Sequence, residues 1–191
     1  MEIYSASALL VALAEMGDRT QLLAIMLASR YRRPVPILLG ILAATIANHA
    51  LAALAGFYLS RVLSAPWFAY AVAASFVAMA LWALIPDKES EDTNPRPPRL
   101  GVFLTTAIAF FILEIGDKTQ IATAVLAARF HEVIIVALGT TTGMMIANVP
   151  AVYLGRAVTR FLPIRALQIA AALVYLALGL WGLAVAAGWT K

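Results

Sequence analysis

The sequence predicts an all-α integral membrane protein with six transmembrane helices, arranged as two inverted-topology three-helix repeats. Three observations carry that prediction. Of 191 residues, 63% are hydrophobic and only 13% charged, with a mean hydropathy of +0.88, which is more apolar surface than a soluble domain of this length can bury. The apolar residues fall in runs of roughly 20, long enough to cross about 30 Å of hydrocarbon as helix. The chain also aligns on itself without a gap, residues 15–84 against 114–183 at a constant offset of 99.

Taken in order, the spans are expected near 4–28, 35–58, 66–85, 101–128, 133–155 and 166–188. Met1 and Glu2 give no basic start, and the first apolar run contains Glu15 and Asp18, so it does not read as a cleavable signal peptide. Arg30, Arg32, Arg33 and Pro34 close the first span, while Arg61, Ser64 and Pro66 separate the second from the third. Residues 86–99 form the one strongly polar stretch, rich in charge and proline and without apolar period, which reads as a solvated linker. It divides the chain into a first repeat, 1–85, and a second, 100–191.

Apolar matches between the halves carry little weight in a membrane protein. Matches of Glu15, Gly17, Asp18, Thr20, Gln21, Arg30, Gly40, Gly56, Arg61 and Trp82 with Glu114, Gly116, Asp117, Thr119, Gln120, Arg129, Gly139, Gly155, Arg160 and Trp181 indicate a duplication. Three spans per half is an odd number, so the second copy enters the bilayer from the opposite side. Loop charge agrees: nine Lys and Arg residues fall on one side and only Arg61, Arg129 and Lys191 on the other. The richer side, linker included, is expected in the cytoplasm and both termini outside. Trp67, Trp82 and Trp189 fit interfacial belts, whereas Trp181 falls deeper.

The strongest polar signal is a hexapeptide in mid-span that occurs twice, Glu15-Met16-Gly17-Asp18-Arg19-Thr20 and Glu114-Ile115-Gly116-Asp117-Lys118-Thr119, followed by Gln21 and Gln120. Ionisable groups at the bilayer centre cost at least about 2.5–3.5 kcal/mol each, which marks a pathway or a binding site. On a continuous helix Glu15 and Asp18 lie about 60° apart, with Ala8 and Ala12 on the same face, where close approach of the two motif helices is expected. Gly17 and Gly116 can also let the helix open locally and free carbonyls as ligands. Inversion brings both motifs to one depth. Glu15, Asp18, Glu114 and Asp117 then form the candidate metal ligands, with Thr20, Gln21, Thr119 and Gln120 as neutral oxygens.

Four carboxylates less Arg19 and Lys118 leave a formal charge of minus two, a match for one divalent cation. Hard oxygen donors suit calcium, manganese or magnesium, and zero cysteines exclude thiolate sites. Low dielectric favours a neutral carboxyl group, so protons can take the place of a departing cation. The net charge of +4 sits in loop arginines that orient the chain, and no nucleic-acid partner is expected.

The doubled Glu-x-Gly-Asp-(Lys/Arg)-(Thr/Ser) signature on six spans resembles the family of cation/proton exchangers that includes Golgi manganese and calcium transporters and bacterial manganese exporters. Both copies match at every specified position, and the resemblance covers essentially the whole chain. It implies exchange of manganese or calcium for protons, with Glu15, Asp18, Glu114 and Asp117 as ligands and Thr20 and Thr119 assisting. The substrates are the divalent cation and protons, and no resident cofactor is expected. The short form resembles the bacterial branch, for which manganese export across the inner membrane is expected.

Other readings stay open at this point. The four acids could be structural bridges to Arg19 and Lys118, and those two bases are either counter-ions of the empty site or snorkel away from it. His49 and Asn148 occupy equivalent positions that could border the site, more as supports than as ligands. Thr140, Thr141 and Thr142 are expected to bond their own helix, Pro150 to kink it, and Gly40, Gly56, Gly139 and Gly155 to sit in helix contacts. A passive channel remains within the transport class. An intramembrane metal-dependent enzyme would need a nucleophile and a water-open metal position, and no His-Glu-x-x-His, Ser-based or Cys-based constellation is present. A membrane scaffold would have no use for acids at mid-depth in both halves. A homodimer is compatible with the sequence.

Overall fold

The computed structural model describes residues 1–62, 66–85, 101–155 and 164–189; the linker expected at 86–99, and Arg156 and Arg160, lie outside them. Among the described residues the chain is all-helical: α1 Glu2–Glu15, α2 Arg19–Tyr31, α3 Pro34–Val62, α4 Pro66–Ala83, α5 Gly101–Glu114, α6 Lys118–Phe130, α7 Val133–Leu154 and α8 Ile164–Ala186. Three stretches, Pro34–Val62, Val133–Leu154 and Arg165–Ala186, are long and apolar enough to cross a membrane, and Trp67–Ala83 and Gly101–Glu114 are shorter apolar helices.

The first and fourth expected spans are each split in two, at the hexapeptide. Gly17 and Gly116 adopt φ of +84° and +76°, a region open to glycine at little cost, and there the helix stops. Asp18 and Asp117 take extended backbone and begin the next helix as N-caps. One turn on, Gln21 Oε1 accepts from Gly17 N at 2.9 Å and Gln120 Oε1 from Gly116 N at 2.7 Å. The Gly17 and Gly116 N–H groups at the break are thus satisfied in place, which is what a polar gap inside an apolar stretch requires. The far ends of α2 and α6 match as well: Arg32 and His131 turn left-handed at φ 51° and 56°, donating backbone N–H to Ala28 O and Ala127 O.

The halves interlock. α1 runs along α7, α3 lies against α5, α6 and α7, and α4 pairs with α8. Glycines allow the closest approaches: a methyl group at Gly40 would lie 2.7 Å from Phe103 O, and one at Gly139 would lie 2.7 Å from Tyr4 O. These two contacts are equivalent under the offset of 99. Ala8 and Ala12 therefore receive α7 at Gly143, and not the other motif helix as the small-residue stripe suggested. Gly139 and Gly143 form a small-xxx-small face on α7 that admits the α1 backbone. Gly56 abuts the Ala124 backbone in the same way, while Gly155 caps α7 at φ 58°, where an added methyl group would meet no atom within 4 Å among the described residues.

Two apolar clusters flank the hexapeptides. One joins Leu10, Phe76, Leu126, Val136 and Tyr175; the other joins Leu27, Ile37, Ile41 and Phe110. Pro150 sits inside α7 without ending it, and Thr140 and Thr142 bond back to Val136 O and Leu138 O. Trp181, placed deep by the sequence, stacks under the Arg129 guanidinium at 4.6 Å.

Candidate cation site

Splitting each span places four acids at helix ends: Glu15 and Glu114 close α1 and α5, while Asp18 and Asp117 open α2 and α6. All four are at most 2% exposed, so each needs a partner. Carboxylate oxygens of Glu15, Asp18 and Asp117 converge within 4.8 Å of one another, and among the described residues no other such acidic or histidine group could hold a metal. Glu114 is not in that cluster.

The bases are exchanged between the halves. Arg19 reaches Asp117 Oδ1 at 3.1 Å, and Lys118 reaches Asp18 Oδ1 at 3.0 Å. Each hexapeptide therefore neutralises the aspartate of the other. The two bridges differ in burial, for the Lys118 side chain is 5% exposed and that of Arg19 34%. Glu15, Asp18 and Asp117 against Arg19 and Lys118 sum to minus one, and Glu114 brings the site to minus two.

The hydroxyls sit as auxiliary oxygens. Thr20 donates to Glu15 Oε2, with Asp18 Oδ2 3.4 Å away, and Thr119 donates to Asp117 Oδ2 at 3.1 Å. Glu15 Oε1 is buried with no hydrogen-bond partner among the described residues. A buried carboxylate oxygen in that condition costs about 1–3 kcal/mol or more until a cation or proton meets it. Gln21 and Gln120 use their Oε1 atoms on the glycine amides and reach across with Nε2, to Ala147 O at 3.0 Å and to Asn48 Oδ1 at 3.4 Å. His49 is fully buried, with neither ring nitrogen hydrogen-bonded among the described residues, and Asn148 donates to Met144 O on its own helix.

Two residues at the site were not singled out from the sequence. Thr45 and Asn48 on α3 donate to Glu114 Oε1 and Oε2, each at 2.9 Å. Their signal in the sequence is the spacing, three residues apart on one face of a largely apolar helix, beside His49.

Hard oxygens, a net negative charge and almost complete burial suit a divalent cation. The model of a protein family described as "Divalent cation/proton antiporter GDT1" matches residues 3–91 and 102–189. A protein of Vibrio cholerae serotype O1 named "Putative manganese exporter" is 48% identical over 159 residues, covering 82% of this chain and 78% of that protein. No solved structure matches the chain.

Proposed function

The chain belongs to the GDT1 family of divalent cation/proton antiporters, and on that premise we propose that it exports manganese from the cytoplasm in exchange for protons by alternating access. It is a membrane transporter and not an enzyme. Over the transport cycle Glu15, Asp18, Asp117 and Glu114 would ligate the cation, with Thr20 and Thr119 assisting. The observation that carries the reading is the reciprocal pairing of Arg19 with Asp117 and Lys118 with Asp18 around three converging carboxylates. The two bases hold the acids together, and a divalent cation entering the cluster would compete with them for the same oxygens. Protons and metal also compete there, because a carboxyl group out of water prefers one or the other.

The architecture that serves this exchange is an inverted repeat with both termini outside and residues 86–99 in the cytoplasm. Equivalent contacts across the halves support it, at Gly40 and Gly139 and at the two hexapeptides. Manganese is favoured over calcium by the name of the Vibrio cholerae relative.

The test is flux in proteoliposomes holding the full chain, with manganese and proton movement read on the same vesicles. Wild-type protein should acidify or alkalinise the lumen in step with manganese movement, and Glu15→Gln and Asp117→Asn should each abolish both. Manganese movement that dissipates its gradient without moving protons would establish a channel instead. Exchange that survives the double variant Glu15→Gln, Asp117→Asn would place the cation elsewhere.

A further inference from the structure

Glu15 and Glu114 are equivalent in sequence, yet their surroundings differ. Both oxygens of Glu114 are taken by α3, through Thr45 Oγ1 at 2.9 Å and Asn48 Nδ2 at 2.9 Å. Asn48 is itself fixed, since Nδ2 also lies 3.1 Å from Phe111 O and Oδ1 accepts from Gln120 Nε2 at 3.4 Å. Thr45 and Asn48 are buried, at 0% and 1% exposure, so water is no substitute for either. At the corresponding positions of α7 stand Met144 and Ala147, whose side chains have no N–H or O–H to donate. Glu15 accordingly keeps an unbonded Oε1 and belongs to the carboxylate cluster, from which Glu114 is missing.

We propose that Thr45 and Asn48 are positioning residues that hold Glu114 out of the cation cluster, so that the two glutamates act at different points of the transport cycle. The proposal rests on the cation-exchange reading and assigns the two halves unequal roles within it. In the arrangement described, Glu15, Asp18 and Asp117 receive the cation, while Glu114 stays tied to α3. Glu114 joins only when α3 gives up those two hydrogen bonds, and that exchange of partners links movement of α3 to occupancy of the site. A fourth carboxylate present throughout would bind the cation more tightly and release it more slowly.

Manganese binding to the purified full chain, and KM and kcat for manganese flux in proteoliposomes, decide the matter for Thr45→Val, Asn48→Ala, their double variant and Thr45→Ser. The double variant should bind manganese about ten-fold more tightly, the scale of a hydrogen bond to a charged group, with lower KM and lower kcat. Thr45→Ser keeps the hydroxyl and should behave as wild type. In a Glu114→Gln background the same substitutions should leave binding unchanged. Unchanged or weaker binding in the double variant overturns the proposal, as does equal tightening in the Glu114→Gln background. If Asn48→Ala fails to insert, the near-isosteric Thr45→Val carries the comparison and should tighten binding in the same direction. Wild-type protein that binds manganese but moves none would sink the exchange reading, while the binding ratios would still decide the role of Thr45 and Asn48.

Discussion

Lys118 Nζ stands 3.0 Å from Asp18 Oδ1, with both side chains almost wholly buried and each contributed by a different half of the chain. Its counterpart, Arg19 with Asp117, has a similar distance of 3.1 Å, but a third of the arginine side chain is exposed. Equivalent bridges in unequal surroundings should respond unequally to the loss of a partner.

Asp18→Asn removes the carboxylate that Lys118 pairs with in an almost wholly buried bridge, a loss of about 3–5 kcal/mol for a broken buried pair. Asp117→Asn removes the partner of a guanidinium whose side chain is a third exposed, so its cost should be clearly smaller. Adding Lys118→Gln to Asp18→Asn should restore most of the stability and none of the transport. Thermal unfolding in detergent, alongside flux, checks all three; equal losses for the two aspartate variants would contradict the burial argument.

Close backbone approach at Gly56 is the tightest of the glycine contacts, where an added methyl group would lie 1.9 Å from Ala124 O. Gly40→Ala and Gly139→Ala meet carbonyl oxygens at 2.7 Å. Overpacking of this kind costs about 1–3 kcal/mol, and more where backbone must move, so Gly56→Ala should be the least stable of the three. Unfolding temperatures of the alanine variants give the order directly, and Gly56→Ala as stable as wild type would rule out the close packing of α3 on α6.

The helix breaks depend on glutamine. Gln21→Leu removes the acceptor for Gly17 N and the donor to Ala147 O, both in an environment where Gln21 is 1% exposed. Gln120 is less buried and its outward bond is longer, at 3.4 Å. Gln21→Leu should therefore cost about 1–3 kcal/mol, and Gln120→Leu less. Amide exchange at Gly17 and Gly116 in micelles offers a local readout: protection lost at neither glycine would mean that the side chains do not hold the breaks.

Topology can be tested without reconstitution. If residues 86–99 are cytoplasmic and both termini outside, as proposed, reporters fused at residue 92 and at the C-terminus should report opposite sides of the membrane. The same side for both would refute an odd number of crossings in the second half.

Membrane class, the duplication and family membership were legible in the one-dimensional string, because hydropathy and repetition of rare polar residues at constant offset need no contacts to be seen. The family model and the Vibrio cholerae relative agree with that reading. The break at each hexapeptide was half legible. Glycine advertised the option, and Asp18 and Asp117 followed three residues later by glutamine form a helix-start pattern that could have decided it. Pairing of helices was not legible, since the small faces of α1 and α5 fit any comparably small face, and only packing selected the glycines of α7 and α3. The separation of Glu114 from the other three acids belongs wholly to the tertiary structure. Symmetry of the motifs argues for four equal ligands; α3 breaks it by bringing two donors, 69 and 66 residues away in sequence, onto one glutamate and not the other. No spacing along the chain encodes that meeting, because it follows from which helix faces which.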